Sequence, residues 1–115
     1  MTIQRINPET RFSQAVVHGD TIYLRGHTGH DPAAGVREQT RDILAQFDAV
    51  LAEAGSNRSR LLSVQVWLVD ISTFDEMNAA WEAWVDPDNL PTRATVQARL
   101  ASDDWKVEIA AIAAR

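Results

Sequence analysis

The sequence predicts an α+β fold, one mixed β-sheet with two helices on one of its faces. Three observations carry that expectation. Short β-branched and aromatic runs open and close the chain. Two intervening stretches switch to apolar steps of three and four residues. The resulting order is ββ-α-β-α-ββ, with no repeat, linker or low-complexity tract.

Ala15-Val16-Val17 and Thr21-Ile22-Tyr23-Leu24 flank the turn residues His18-Gly19-Asp20, the pattern of a hairpin. Gly26 to Gly35 holds three further glycines and a proline among ten residues, so it reads as a loop. From Val36 the residues Thr40, Ile43, Leu44, Phe47, Val50 and Leu51 form one helical stripe, which Ala54-Gly55 stops with glycine at the left-handed position. Leu61 to Val69 is a largely apolar strand. Ser72 or Thr73 is then placed to cap a second helix, with Asp75 and Glu76 near its positive end. Its stripe is Phe74, Met77, Trp81 and Trp84, and Pro87 follows its end. Arg93 to Leu100 alternates as a strand, Ala101 to Asp104 turns, and Trp105 to Ala113 is the last strand, expected to pair with it as a hairpin.

Helices on one face leave the other sheet face bare. Trp67 falls on that face if Val66 and Leu68 point at the helices. An apolar face of this kind is buried by another copy, so an oligomer is expected.

With 115 residues, 45% hydrophobic and 23% charged, the chain is the size of one ordinary globular domain spanning 1–115. A net charge of −5 argues against a phosphate-backbone binder, so no nucleic-acid partner is expected. The absence of cysteine removes disulfides, thiol catalysis and thiolate metal sites. The opening residues lack the apolar segment of a signal peptide, and no run is long enough to span a membrane; a cytoplasmic protein without a membrane partner is the expectation.

Two residues stand out chemically. Arg93 begins a strand after the proline-stiffened Leu90-Pro91-Thr92, where its planar fork can hold a carboxylate by two hydrogen bonds. The competing reading is a surface ion pair with Asp86 or Asp88. Glu108 interrupts an apolar strand and either points to solvent by alternation or sits in a partly dry site that raises its pKa towards base work. Whether it shares a face with Arg93 depends on hairpin register, and both registers remain open. His27, His30 and Asp31 are acceptable zinc ligands by type. They lack fixed spacing, so solvated loop histidines and no metal are expected. No serine lies in a nucleophile-elbow pattern.

Pro91 to Leu100 (PTRATVQARL) followed by Lys106 to Ala113 (KVEIAAIA) resembles the C-terminal signature of the RidA/YjgF family. Ala54-Gly55, Val69-Asp70, the Asn78 to Trp84 segment and Gly26 match it in order, across nearly the whole chain. The opening residues Met1 to Ile6 and the Trp-containing second helix look closest to the family's YoaB-like branch.

The resemblance implies a chorismate-mutase-like homotrimer with clefts between subunits. It also implies cofactor-independent hydrolysis of reactive 2-imino acids to 2-oxo acids and ammonia. Arg93 would clamp the substrate carboxylate, and Glu108 would orient or deprotonate the attacking water. The backbone around Gly26 would position that water, while Thr95 and Asn78 line or brace the pocket. Phe12 stands where familiar members carry tyrosine, Arg25 replaces a small hydroxyl residue before Gly26, and Thr95 replaces a cysteine. The loop after Gly26 is also shorter. The alternative is a non-catalytic trimer that binds small carboxylates in a regulatory or interaction role.

Overall fold

The computed structural model describes residues 1–115. Six strands and two helices follow as β1 (Ile3–Pro8), β2 (Ser13–His18), β3 (Thr21–His27), α1 (Val36–Glu53), β4 (Leu61–Leu68), α2 (Phe74–Trp84), β5 (Thr92–Gln97) and β6 (Val107–Ala114). They form one mixed sheet in the order β1-β2-β3-β6-β4-β5. The predicted fold class is therefore the observed one, with two changes in its parts.

The first change is β1. Its only buried residue is Ile6, so an edge strand of six residues carries no apolar alternation that a reader of the sequence would notice. The second concerns the last two strands. They do not form a hairpin: β4 lies between them, parallel to β5 and antiparallel to β6. Local alternation shows that a segment is a strand but says nothing about which strand it pairs with. Ala98, Arg99 and Leu100 lie beyond the end of β5.

The β2–β3 hairpin forms as expected around Gly19-Asp20. Gly19, at φ 61°, fills the first central position that a type II′ turn reserves for glycine. Gly55 ends α1 at φ 78°. Ser56 N–H then reaches Leu51 O at 2.8 Å and Gly55 N–H reaches Ala52 O at 3.1 Å, a Schellman closure. At the other end of α1, buried Gln39 donates to the carbonyls of Asp31 and Ala34 and accepts from Lys106 N–H at 2.9 Å. Lys106 Nζ adds bonds to Pro32 O and Ala34 O. The loop before α1 is thus pinned to the residues that lead into β6. The second helix is entered differently from the expected cap. Asp70 accepts from Ser72 N–H at 2.9 Å and caps a short 3₁₀ turn, while Thr73 makes no side-chain cap to α2.

One core lies between the sheet and the helices. Phe47, Ile43, Leu44 and Leu51 from α1 and Met77 from α2 meet Ile22, Val66, Leu68 and Ile109 of the sheet, all fully buried. Truncating a buried phenylalanine such as Phe47 to alanine costs about 3–5 kcal/mol. Asp48 fastens the two helices at their edge, accepting from Arg58 at 3.1 and 2.7 Å and from Trp84 Nε1 at 2.9 Å. Neither helix is long and apolar enough to cross a membrane.

The opposite sheet face has no helix over it. Val64, Val66 and Leu68 are buried beneath the helices, so Gln65 and Trp67 point the other way, as expected. Tyr23 and Val96 share that bare face and remain 47% and 45% exposed.

Candidate active site

Sheet register decides where each candidate residue points, because directly paired residues project from the same face. Arg93 pairs with Val64 and Thr95 with Val66, so both project towards the helix layer. Glu108 pairs with Trp67 and projects from the bare face. The two charged residues are two strands apart and offset by three positions, roughly 10 Å in each direction. They also occupy opposite sides of the sheet. One small substrate cannot touch both within a single chain.

Glu108 sits in a prepared place. The β3–β6 ladder shifts register between Leu24 and His27, and this bulge brings Gly26 against the Glu108 carboxyl. A side chain at Gly26 would collide with Glu108 Oε2 and come within 3.0 Å of its carboxyl carbon. Glycine is required here by close approach. Burial pushes the Glu108 carboxyl above its ordinary pKa, an effect the nearby Arg25 charge partly offsets.

His27 holds the bulge from behind. It is fully buried, edge-on to Phe47, with Nδ1 2.8 Å from Arg25 O and Nε2 3.0 Å from Gln14 Nε2. The neutral ring donates from Nδ1 to the carbonyl and accepts at Nε2 from the Gln14 amide. Burial lowers its pKa to about 4. The expectation of a solvated loop histidine fails for this residue, because β3 continues through Gly26 to His27 and turns the ring into the core. His30 is the exposed one, 3.2 Å from Asp42.

A cleft of about 530 Å³ opens beside Glu108, bounded also by Glu9, Phe12, Arg25, Gly26 and Trp105. Arg25 donates from its NH1 nitrogen to Gly26 O at 2.9 Å, and its guanidinium lies 5.7 Å from the centre of the Phe12 ring. Its Nε is 3.4 Å from Glu9 Oε2, close enough for an ion pair but without hydrogen-bond alignment. Sequence reasoning reached Phe12, Arg25, Gly26 and Glu108 but not Glu9 or Trp105. Glu9 follows the polar β1, and Trp105, expected to open the last strand, lies just before β6.

Arg93 has a separate setting at the sheet edge. Its guanidinium carbon lies 5.5 Å from the ring centre of Trp81 and 5.7 Å from that of Phe74, and an NH1 nitrogen is 3.8 Å from Met77 Sδ. Burial there makes its charge less favourable, which Glu82 partly offsets. The surface-pair reading does not hold. Asp86 instead accepts from Asp88 N–H and Asn89 Nδ2, leaving Arg93 without a carboxylate partner. The neighbouring Thr95 hydroxyl is buried and also lacks a partner. Asn78, half-buried, lies on the same helical stripe as Phe74, Met77 and Trp81.

The family model described as Endoribonuclease L-PSP matches residues 2–115. A crystal structure of a YjgF-family member from Neisseria meningitidis superposes with a TM-score of 0.94 at 39% identity, covering 100% of this chain and 96% of that one. The chain belongs to the RidA/YjgF family. Relatives of this RidA/YjgF chain include RutC family protein YoaB of Escherichia coli strain K12, 46% identical over 114 residues and 99% of each chain. Another is a 2-iminobutanoate/2-iminopropanoate deaminase of Rattus norvegicus, 32% identical over 108 residues, 89% of this chain and 78% of that one. Within this RidA/YjgF fold, the seven residues singled out from sequence divide into two groups. Glu108, Gly26, Arg25 and Phe12 gather at the cleft, and Arg93, Thr95 and Asn78 gather at the opposite sheet edge.

Proposed function

We propose that this RidA/YjgF protein hydrolyses 2-imino acids to 2-oxo acids and ammonia, in clefts that each combine Glu108 of one subunit with Arg93 of the next. The observation that carries the reading is the pair of incomplete half-sites. An unpaired guanidinium framed by aromatics suits a carboxylate, and a carboxyl of raised pKa over Gly26 suits a water. Because they face opposite ways, joining them calls for a head-to-tail contact, which makes a ring when its rotation closes. The family resemblance supports a homotrimer for that ring, and the bare sheet face supplies apolar surface for it.

The chemistry follows from those groups. Arg93 fixes the substrate carboxylate and therefore the imine carbon. Glu108 takes a proton as the water oxygen bonds to that carbon, and the C=N π electrons move to nitrogen. The same proton then reaches the nitrogen of the tetrahedral adduct. Glu108 then takes the adduct's hydroxyl proton as the C=O bond forms and the C–N bond breaks, and the departing ammonia carries that proton away as ammonium. Orientation contributes most, since a protonated imine is already electrophilic. The base adds about 10²–10⁴-fold. A net charge of −5 and an Arg25 held beside Glu9 and Gly26 offer little to a phosphate backbone, which argues against the ribonuclease activity in the family model's description.

The test generates imino acids in situ with an amino-acid oxidase and follows their loss. Wild type should accelerate hydrolysis, Arg93→Ala should abolish the effect, and Glu108→Gln should lose about 10²–10⁴-fold. Unaccelerated decay in the presence of wild type, with 2-oxo acids still binding, would establish the carboxylate-binding alternative instead.

A further inference from the structure

We infer that the cleft beside Glu108 takes 2-imino acids with large apolar side chains, lodged among Phe12, Leu100 and Trp105, in preference to small or acidic ones. The inference rests on the proposed hydrolysis for its substrate class and adds the identity of the side chain.

Size is the first argument. The cleft measures about 530 Å³, within the range of about 300–1,000 Å³ that holds ligands much larger than a two- or three-carbon imine. That is the space one chain leaves beside Glu108 before the next subunit's Arg93 closes over it, so the apolar lining is the stronger guide to the side chain. Lining chemistry is the second. Away from Glu108 the wall is made by Phe12, Leu100, Ala101 and Trp105, with the uncharged Thr28 and Ser102 between them. Phe12 lines the cleft and has no hydroxyl to offer a polar substituent, and it is 56% exposed in the single chain.

Charge is the third argument, and it excludes the obvious rival. Arg25 invites the idea of a second anion-binding group for a dicarboxylic imine. Its guanidinium is partly engaged: one terminal nitrogen donates to the Gly26 carbonyl at 2.9 Å, Nε lies 3.4 Å from Glu9 Oε2 without hydrogen-bond alignment, and the Phe12 ring centre is 5.7 Å away. The lining carries two carboxylates, Glu9 and Glu108, against this one cation. A second substrate carboxylate would enter a net negative wall. Arg25 instead lies beside Phe12, its guanidinium carbon 5.7 Å from the ring centre.

The experiment compares kcat/KM for imines generated from leucine, phenylalanine, alanine and aspartate, with wild type, Phe12→Ala and Trp105→Ala. Each methylene placed in an apolar pocket is worth about 10–200-fold. Leucine and phenylalanine imines should therefore exceed the alanine imine by at least about tenfold, with the aspartate imine slowest. Both variants should bring the leucine-to-alanine ratio towards one, a change in ratio that general loss of folded protein does not produce. Calorimetry with phenylpyruvate, pyruvate and oxaloacetate reads the same preference without catalysis, and phenylpyruvate should bind tightest. Equal or better use of the alanine or aspartate imine, or equal binding of the three oxo acids, overturns the inference. Loss of hydrolysis for every imine, with phenylpyruvate still preferred in binding, overturns the proposed reaction and leaves the apolar subsite standing.

Discussion

At the scale of single residues, Gly26 is set by contact and not by backbone conformation. A methyl group there would meet the far end of the Glu108 side chain, which can swing aside at small cost to the fold. Gly26→Ala is therefore expected to melt within a few degrees of wild type while losing about 10²-fold or more in imine hydrolysis, because the carboxyl is displaced by about an ångström. Thermal melts and initial rates on the same preparation check this. A large loss of stability would mean that the bulge itself, and not Glu108, is what glycine protects. His27 gives a prediction independent of function. Its pKa falls from 6.5 when unfolded to about 4 when folded, so the unfolded state binds the proton more readily. The contribution is complete above pH 6.5, declines as pH falls, and levels off below about 4. Urea midpoints should drop between pH 7 and pH 5 in wild type, and His27→Phe should flatten that segment.

At the scale of elements, much of the fold was legible because it is written in local periodicity. The stripe Ile43, Leu44, Phe47, Val50 and Leu51 is the buried face of α1, and Phe74 opens α2 as expected. Gly55 takes its left-handed position for the same local reason. What local pattern cannot carry is pairing. Arg93 to Gln97 alternates identically whether its neighbour is β6 or β4, and the insertion of β4, with the register it imposes, puts Arg93 and Glu108 two strands apart on opposite faces. The hairpin expectation failed there, and with it the idea of a site built on one strand pair. β1 escaped notice because an edge strand has little to bury. The candidate site was legible as residue types, since an arginine after proline and a glutamate among apolar residues are visible in one dimension. Their surroundings were not. Trp81 and Phe74 frame Arg93 from α2, and Glu9 reaches Arg25 from beyond β1.

At the scale of the whole molecule, the division of the site yields its own prediction. Arg93→Ala chains retain Glu108, and Glu108→Gln chains retain Arg93, so a ring built from both contains interfaces where both intact residues meet. Co-refolding the two inactive variants in equal amounts should recover roughly a quarter of the wild-type rate, the chance that a random head-to-tail interface receives both intact residues. Separately refolded and then mixed samples serve as the control. Recovery confined to the co-refolded sample supports a shared site, and none in either sample argues that each chain works alone. The sheet order has another consequence, for the history of each molecule. β6 is made after the seven other strands and helices of this domain, yet it occupies the middle of the sheet, joining β1-β2-β3 on one side to β4-β5 on the other. While the chain is being synthesised, those two parts have no common ladder, and Val107, Ile109 and Ala113, which end fully buried, are still to arrive. Domains are translated at about 5–20 residues per second, so the halves wait on a closing strand of eight residues. The sheet of this domain closes only once β6 has been made.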